Sequence, residues 1–505
     1  MAEKVENRSR TVRKVWKCFF LYSFGVFLQY AAYGSLLNLQ SSINIIDGLG
    51  TYCASIINIT AVLFTLFCVP SLLRRFGAKK CFCWCECTYI LYTVANMYPT
   101  YYTMVPASFL VGIGDSTLWS CMPLLNSYFA TKYSAFSGNG QQSKNESRFS
   151  GYFYSIVLGA KIPGNIITYI VLYAFNTKSE NPVTLYANNI TFNVSNEDII
   201  SLNDFEHCGA NDCQDAVIVR NTLEQYVPAN RLSIYILMGI LTMLCVMAVV
   251  IHFVFIPETG DYGVSRRTSK MHNSDGIDDQ KFATEAIIVS DQSYVSFAFT
   301  TVKDIGRQVV DFKQILVTLI FIYHGMTYGY ITSEITRSYT TCAFGVAMVP
   351  VHSVFYGIGG GVVCYLMGKL GKQISRDWFF VIATLTDMSI YIYGLLWSSA
   401  TFSSHWCLVP MYFLFGGTQG IWMSNGHVVQ VNYFRDRLDV ACPVWNIYYM
   451  LGIAIQFAWS TRLCVRTKIF IQMGVLIMSM IGYVMAETLH RRQLRRNKES
   501  EVAVE

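Results

Sequence analysis

The chain has 505 residues, of which 53% are hydrophobic and only 14% are charged, with a net charge of +6. Average soluble domains carry roughly 25% charged residues, so this composition excludes an ordinary soluble protein. The small positive charge is not a nucleic-acid-binding signature either, and its placement along the chain is more informative than its size.

Apolar segments long enough to cross a bilayer recur about twelve times along the chain. The first, from Cys18 to Ile46, contains no charged side chain, and about 20 apolar helical residues span the hydrocarbon core. The predicted spans lie near 18–39, 51–73, 82–98, 102–130, 150–174, 232–256, 313–333, 341–366, 378–397, 405–430, 440–460 and 468–486. We therefore predict an all-α membrane protein with about twelve transmembrane helices in two six-helix halves.

The positions of lysine and arginine predict the orientation of these spans. Basic residues cluster before the first span and after the second, fourth, eighth and last spans, which places both termini in the cytoplasm. Arg462, Arg466 and Lys468 disagree, because they fall on the predicted outer side. The predicted organisation is a cytoplasmic tail 1–17, a first half 18–256, a cytoplasmic middle loop 257–312, a second half 313–486 and a cytoplasmic tail 487–505.

The connector 175–231 is predicted to be an outer loop. It is acidic and contains the glycosylation sequons Asn189-Ile-Thr191 and Asn193-Val-Ser195, so we predict a glycan on Asn189 or Asn193. Cys208 and Cys213 lie in the same loop. An oxidising compartment permits a disulfide between them, and two free thiols are the alternative.

The two halves of the sequence resemble repeats of each other. Arg75-Phe76-Gly77 follows the second span and Lys369-Leu370-Gly371 follows the eighth, while Gly114 and Gly417 each precede a tryptophan by five residues. Matches in the same order suit two halves related by an axis along the membrane normal. The basic-apolar-glycine turn also resembles the loop signature of the major facilitator superfamily. Arg74 stands where that signature has an acid, so the conformational latch attributed to the acid is not supplied here.

Ionisable side chains inside the spans are candidates for function, because burying one in a membrane is costly. Asp115 and Lys161 have opposite signs at mid-depth of spans four and five. They form either a structural pair or a site that binds a charged solute or relays a proton. Asp387 has no evident partner in the sequence, which makes it a candidate functional carboxylate. Glu86 and Glu334 are predicted to lie near span ends, within reach of water.

Span ten carries polar residues along one face. Gln419, His427 and Gln430 fall within about a third of the helix circumference at 100° per residue. This face suits a water-lined cavity between the halves, and ordinary interhelical hydrogen bonding accounts for it equally well. The sequence contains no Walker loop, no H-E-x-x-H motif and no nucleophile arrangement. We therefore expect no enzymatic activity, no cofactor and no metal site.

Three stretches carry a resemblance to a known family. The first is Leu39-Gln40-Ser41-Ser42 followed by Gly48-Leu49-Gly50, and the second is 110–114 with Leu118-Trp119. The most specific segment, at the outer end of span seven, consists of Ser333, Glu334, Ile335, Thr336, Arg337, Ser338 and Tyr339, followed by Cys342. The chain resembles the Unc-ninety-three (uncoordinated) family, in its A-like branch, over nearly its whole length outside the two long loops and the tails.

The residues of the third segment also allow a local interpretation. Glu334 and Arg337 are three residues apart, so they can pair on one face of a helix end. Such a pair would brace the outer mouth of the second half whether or not a ligand binds there.

The resemblance implies a major facilitator fold and divides the expected function. Some members are accessory subunits that regulate a two-pore-domain potassium channel and hence muscle excitability, another branch escorts Toll-like receptors, and others are orphan solute-carrier-like proteins. We expect a multipass plasma-membrane protein that regulates ion transport through a potassium channel partner in the lipid bilayer. A secondary solute transporter is the alternative, followed by a trafficking chaperone for receptors. No nucleic-acid partner is expected.

Overall fold

A computed structural model describes most of the chain. The described residues are 2–44, 49–137, 142–174, 208–213, 231–257, 294–370, 373–398, 404–460 and 462–502. Within these ranges the chain forms helices and no strand. The predicted glycosylation sites Asn189 and Asn193 lie outside the described residues.

The first half contains seven helices in the described ranges. They are α1 Ala2–Ile43, α2 Leu49–Phe67, α3 Val69–Ala95, α4 Tyr101–Ser137, α5 Gln142–Gly159, α6 Lys161–Ala174 and α7 Arg231–Phe255. α5 and α6 together make one membrane span that is interrupted at Ala160. This half therefore crosses the membrane six times.

The second half repeats this number of crossings. The connector between the halves contains α8 Tyr294–Val309. The helices of the second half are α9 Phe312–Tyr330, α10 Met348–Leu370, α11 Arg376–Leu396, α12 Val409–Tyr433, α13 Leu438–Ala458 and α14 Val465–Val502. α9 continues through a π-helix, Ile331–Thr341, and the short helix Cys342–Phe344. α3, α4 and α12 are less apolar than the nine described helices that meet the length and hydropathy expected of a span, and they complete the two six-helix halves.

Two boundaries differ from the sequence prediction. The second span was expected to reach residue 73, but α2 ends at Phe67 and α3 begins at Val69, where Pro70 suits the first turn of a helix. The predicted turn at Arg75-Phe76-Gly77 is a kink inside α3. Gly77 has a φ of 76° there, which is a conformation that glycine adopts without strain.

Helix α8 was not predicted, because its residues fall in the expected middle loop 257–312. Ile305 of α8 is buried against Val440, Val444 and Ile447 of α13. Ile305 and Val309 share a helix face at i, i+4 spacing. This apolar stripe indicates a helix that packs on one side, but it is too short to be recognised as a membrane span.

Both chain ends lie at the same end of the bundle, which we call the terminal face. Arg148 at the start of α5 lies over the Trp16 ring of α1, with 5.2 Å between the guanidinium carbon and the ring centroid. Arg491 near the end of α14 pairs with Asp377 at the start of α11. Arg435 and Glu146 form an ion pair of 3.2 Å that joins the two halves across this face.

The halves also meet where glycines allow close helix packing. A methyl group on Gly151 of α5 would lie 2.6 Å from the Cα of Gly368 on α10. Small residues permit such approaches between membrane helices. This contact holds the two halves together near the terminal face.

Replacing Gly151 by Ala is therefore expected to lower stability, because backbone atoms of α10 must move to make room. The expected loss is about 1–3 kcal/mol, which is typical of overpacking. Thermal unfolding of the detergent-purified protein, followed by tryptophan fluorescence, measures it. Gly159→Ala on the same helix is the control, since a methyl group there meets nothing within 4 Å. Equal unfolding temperatures for the two variants would contradict the close contact.

Candidate functional site

The family-motif segment forms the π-helix at the end of α9. All eleven residues of Ile331–Thr341 are buried, and π-helical turns occur frequently at functional sites. Hydroxyl groups of the segment bond within it: Thr336 donates to the Thr332 carbonyl at 2.8 Å. Tyr339 reaches outside it and donates to the Gly394 carbonyl at 3.0 Å. The motif therefore packs inward, against the neighbouring helices of its own half.

Glu334 of this segment forms a buried ion pair with Lys468 of α14. The Lys468 Nζ lies 2.8 Å from Glu334 Oε1, and both side chains are 0% exposed. Ser460 donates to the same carboxylate oxygen at 2.8 Å, and Lys468 also donates to the Ser460 carbonyl at 2.7 Å. The expectation that Glu334 reaches water was wrong, because an internal cation compensates its charge. Lys468 is likewise an internal counter-ion, which removes it from the basic cluster that opposed the predicted orientation.

Glu86 is the second carboxylate that was expected near water and is instead enclosed. It is buried in α3, and its Oε2 lies 2.7 Å from Nδ1 of His252 on α7. The other ring nitrogen of His252 lies 2.9 Å from the Tyr22 carbonyl of α1. The pair joins three helices of the first half, so its role in the fold is structural.

The predicted disulfide between Cys208 and Cys213 was wrong. Cys208 is bonded to Cys342 and Cys213 to Cys464. The physical reason is that residues 208–213, which we call the docked segment, lie against the second half. The Asp212 carbonyl accepts from the Val465 amide at 3.0 Å, so each thiol of the segment is next to a cysteine of that half.

The conformation of the docked segment depends on Gly209. Its φ is 80°, and a Cβ there would lie 2.7 Å from the Trp397 ring. Cys208, Gly209 and Ala210 are buried. The segment thus belongs to the first half by sequence and to the second half by packing.

Asp115 and Lys161 do not form the ion pair that the sequence allowed. Asp115 of α4 accepts hydrogen bonds from the hydroxyls of Tyr33 on α1, at 3.1 Å, and Tyr89 on α3. Phenol donors, rather than a cation, therefore hold this carboxylate. Asp115 joins the first, third and fourth helices of its half.

Asp387 is a buried carboxylate on α11, the third span of the second half. Its Oδ2 accepts from the Tyr323 hydroxyl of α9 at 2.7 Å and from the Trp422 indole of α12 at 2.8 Å. Asp387 therefore has partners, but they lie on other helices and are not evident from the sequence around it. Each half therefore contains a buried carboxylate that connects its first, third and fourth spans, although Asp115 is on the fourth span of its half and Asp387 is on the third.

Lys161, at the start of α6, contacts aromatic rings of the opposite half. Its Nζ lies 4.9 Å from the ring centroid of Tyr328 and 4.3 Å from that of Tyr356. No carboxylate in the described ranges lies within ion-pairing distance of it, and its residue is 5% exposed. The ammonium is therefore enclosed between the halves with only π-electron faces to compensate it.

A cavity lies between the two halves beside this lysine. It is a small cavity of about 50 Å³, and helices α1, α2, α4, α9 and α13 form its wall. Six aromatic side chains line it: Tyr30, Tyr33, Trp119, Tyr328, Tyr449 and Phe457. Of the six residues predicted from sequence to line a cavity or pathway, Asp115 is on this wall.

The sequence allowed two interpretations of the polar face of α12, a cavity lining and interhelical hydrogen bonding, and each applies to some of its residues. Gln430 donates to Gln314 Oε1 at 2.9 Å and to the Ala441 carbonyl at 2.7 Å, which is interhelical hydrogen bonding. His427 lies against Trp445 in a tilted ring contact, with 3.8 Å between ring centroids, and borders a small second pocket near Glu146. Gln419 is buried on the same helix.

These features define the class of protein. Two six-helix halves meet at a shared cavity, and glycines allow close packing between the halves. The same arrangement occurs in solved major facilitator structures at low sequence identity. The proton:xylose symporter XylE is 10% identical and matches with a TM-score of 0.57, covering 94% of this chain and 95% of that one. A bacterial homologue of the iron transporter ferroportin is 8% identical and matches with a TM-score of 0.51, covering 93% and 99%. The protein has the major facilitator fold.

Sequence similarity identifies the family within that fold. The family model for the ion channel regulatory protein UNC-93 matches residues 41–403, and the chain belongs to the UNC-93 family. Protein unc-93 homolog A of Homo sapiens is 26% identical over 93% of this chain and 93% of its own length. The Caenorhabditis elegans protein named "Putative potassium channel regulatory protein unc-93" is 22% identical over 95% of this chain and 62% of its own length.

Proposed function

We propose that this protein regulates ion transport as a non-enzymatic accessory subunit of a potassium channel. The observation that carries the proposal is the UNC-93 family match over residues 41–403. The similarity to the nematode relative, whose name specifies potassium channel regulation, supports it over nearly the whole chain. A subunit that acts through contact has to present a fixed surface. The buried pair at Glu334 and the two disulfides suit that requirement.

We also propose that the protein lies in the plasma membrane with both termini in the cytoplasm. Disulfides form and persist in oxidising compartments. Both disulfides involve the docked segment, which contacts the beginning of α14, whereas the end of α14 lies at the terminal face. The disulfides and the termini therefore belong to opposite ends of the bundle, which supports the orientation that the basic residues predict.

Co-expression with a two-pore-domain potassium channel is expected to change the potassium current at constant channel abundance. Two-electrode voltage clamp across a panel of such channels measures the effect, with surface biotinylation of both proteins. The control is the same channel expressed with an unrelated major facilitator protein, which corrects for loading of the secretory pathway. Unchanged currents in every channel, with both proteins at the surface, would contradict the accessory-subunit proposal.

One observation favours a second function, the transport of a small solute. Side chains of both halves line a cavity between them, and spaces between the helices of a bundle are a common location of ligand sites. Substrate-dependent uptake by proteoliposomes that contain the purified protein alone would establish transport. Loss of that uptake in Asp387→Asn or Lys161→Ala would place these residues in the transport pathway.

A further inference from the structure

We propose that an anionic phospholipid binds near the terminal face, where its headgroup pairs with cations of both halves and its acyl chains cover the junction between them. We call this site the seam, and it consists of Trp16, Arg148, Tyr152, Tyr365 and Lys369. Tyr365 and Lys369 are exposed, and the seam residues are not on the wall of the cavity between the halves. The site goes beyond channel regulation and does not depend on it.

The seam contains a row of aromatic rings that crosses from one half to the other. Tyr152 of α5 lies 6.1 Å from the Trp16 ring of α1 and 6.0 Å from the Tyr365 ring of α10, measured between ring centroids. Tyr365 is 49% exposed, and Trp16 stacks at 5.5 Å on Phe20, which is 50% exposed. The row therefore lies at the lipid-facing surface, and tryptophan and tyrosine are enriched there at the level of the headgroups.

Two cations lie one helical turn nearer to the terminal face than this row. Arg148 precedes Tyr152 by four residues on α5. Lys369 follows Tyr365 by four residues on α10, which runs in the opposite direction. Because the two tyrosines are in contact, these cations stand on neighbouring parts of α5 and α10. Arg148 is partly exposed and Lys369 is exposed, so a headgroup placed here has a cation from each half beside it.

No carboxylate in the described ranges pairs with either cation. The guanidinium carbon of Arg148 lies 5.2 Å, 5.7 Å and 6.0 Å from the ring centroids of Trp16, Tyr152 and Tyr133. Contact with ring faces leaves the in-plane N–H donors of a guanidinium available, and their geometry matches the oxygens of a phosphate. Arg148 is therefore oriented by aromatic rings and retains its capacity to bind an anion.

Other arginines at the terminal face have carboxylate partners within the protein. These pairs are Arg376 with Glu487, Arg437 with Asp311, and Arg491 with Asp377. The fold thus supplies counter-ions to neighbouring cations but none to the two at the seam. We infer that the counter-ion at the seam comes from outside the chain.

Exposed apolar side chains continue from the seam toward the middle of the membrane. Phe24, which is 47% exposed, follows Phe20 on the same face of α1, and Val362 and Leu366 of α10 are 46% and 42% exposed. A soluble anion leaves these surfaces uncovered, whereas the acyl chains of a phospholipid lie against them. The terminal face is cytoplasmic in the orientation proposed above, and the cytoplasmic leaflet contains anionic phosphatidylserine and phosphatidylinositol lipids. An anionic phospholipid therefore fits both parts of the surface.

The test is native mass spectrometry of the full-length protein in detergent, titrated with dioleoyl phosphatidylserine and, separately, with dioleoyl phosphatidylcholine. We expect a saturable site for phosphatidylserine and weaker binding of phosphatidylcholine. Arg148→Met and Lys369→Met should each weaken phosphatidylserine binding about fivefold, which is the contribution of one cation near an anionic lipid surface. The double variant should bind the two lipids equally. Equal binding of both lipids to the wild type would overturn the proposal.

Two controls separate the seam from general electrostatic attraction and from a site for soluble anions. Lys132 is an exposed cation next to Tyr133 but lies over Tyr128, outside the seam, so Lys132→Met should bind phosphatidylserine as the wild type does. A loss equal to that of Lys369→Met would overturn the site. Glycerophosphoserine, which has the headgroup but no acyl chains, should not displace the bound lipid when present in excess. Displacement would overturn the assignment to a lipid.

A stability measurement distinguishes loss of the site from loss of the fold. Lys369 is exposed, so Lys369→Met should change the free energy of unfolding by no more than about 0.5 kcal/mol in detergent without added lipid. Added phosphatidylserine should raise the unfolding temperature of the wild type more than that of Lys369→Met, because the lipid contacts both halves. An equal rise in the two proteins would contradict a headgroup contact at Lys369.

Discussion

Replacing Lys468 by Met is expected to destabilise the protein by about 3–5 kcal/mol, which is typical when one partner of a buried ion pair is removed. Glu334 would stay in an interior that excludes water and would lose the ammonium that lies 2.8 Å from its carboxylate. The expected signs are a lower unfolding temperature by tryptophan fluorescence and a smaller monodisperse fraction in size-exclusion chromatography.

A double variant and a surface control make this prediction specific. Glu334→Gln combined with Lys468→Met removes both charges and should recover much of the loss, since a buried pair contributes far less than breaking it costs. Arg466 is exposed and lies two residues away, so Arg466→Met should change stability by no more than about 0.5 kcal/mol. A Lys468→Met protein as stable as the Arg466→Met protein would show that the pair does not hold α14 to the π-helix.

Replacing Cys213 and Cys464 together by Ser is expected to cost roughly 2–5 kcal/mol and to reduce the amount of protein that reaches the cell surface. The disulfide closes a loop across 251 residues of sequence, and long loops lose the most chain entropy when they are closed. Removing both cysteines prevents a leftover thiol from forming a wrong bond. Thermal unfolding and surface biotinylation measure the two effects.

Cys407→Ser is the matched control, since Cys407 is a partly buried free thiol in the second half. It should leave both stability and surface abundance close to those of the wild type. Mass spectrometry of unreduced peptides tests the pairing itself and should detect the links 208–342 and 213–464. A peptide that links Cys208 to Cys213 would contradict the structure and would support the pairing expected from their nearness in sequence.

The number of spans and the two-half organisation were predictable because the bilayer imposes both length and apolarity on each crossing helix. The same reasoning does not detect a helix that stays outside this pattern. α8 has only a short apolar stripe around Ile305, and it was assigned to a loop for that reason. The division of the fifth span at Ala160 and the early end of α2 at Phe67 are local features. Mean hydropathy over a window of many residues does not resolve them.

The presence of ionisable residues inside the spans was also predictable, but the burial of Glu86, Glu334 and Lys468 and the partners of these groups were not. Asp115, Asp387 and Glu334 stand out in apolar segments, whereas the atoms that bind them come from other helices. Glu334 and Lys468 are 134 positions apart, and sequence spacing reveals side-chain neighbours only within a turn or so of one helix. The tilt and rotation of each span decide the rest, and packing sets these rather than composition. The cysteines show the same limit. Nearness in sequence suggested a bond between Cys208 and Cys213, but the docked segment places each of them next to a cysteine of the second half.

The docked segment gives the assembly of this protein an order in time. Chains emerge from the ribosome with the N-terminus first, and α7 to α13 separate Cys213 from Cys464. The thiol of Cys213 therefore has to remain unpaired until nearly the whole chain has been synthesised. Closure of that bond requires Cys464, which directly precedes α14, so the bond records that translation has passed residue 464. A polypeptide cut short before this point keeps a reactive thiol on its surface and can be distinguished chemically from a finished molecule.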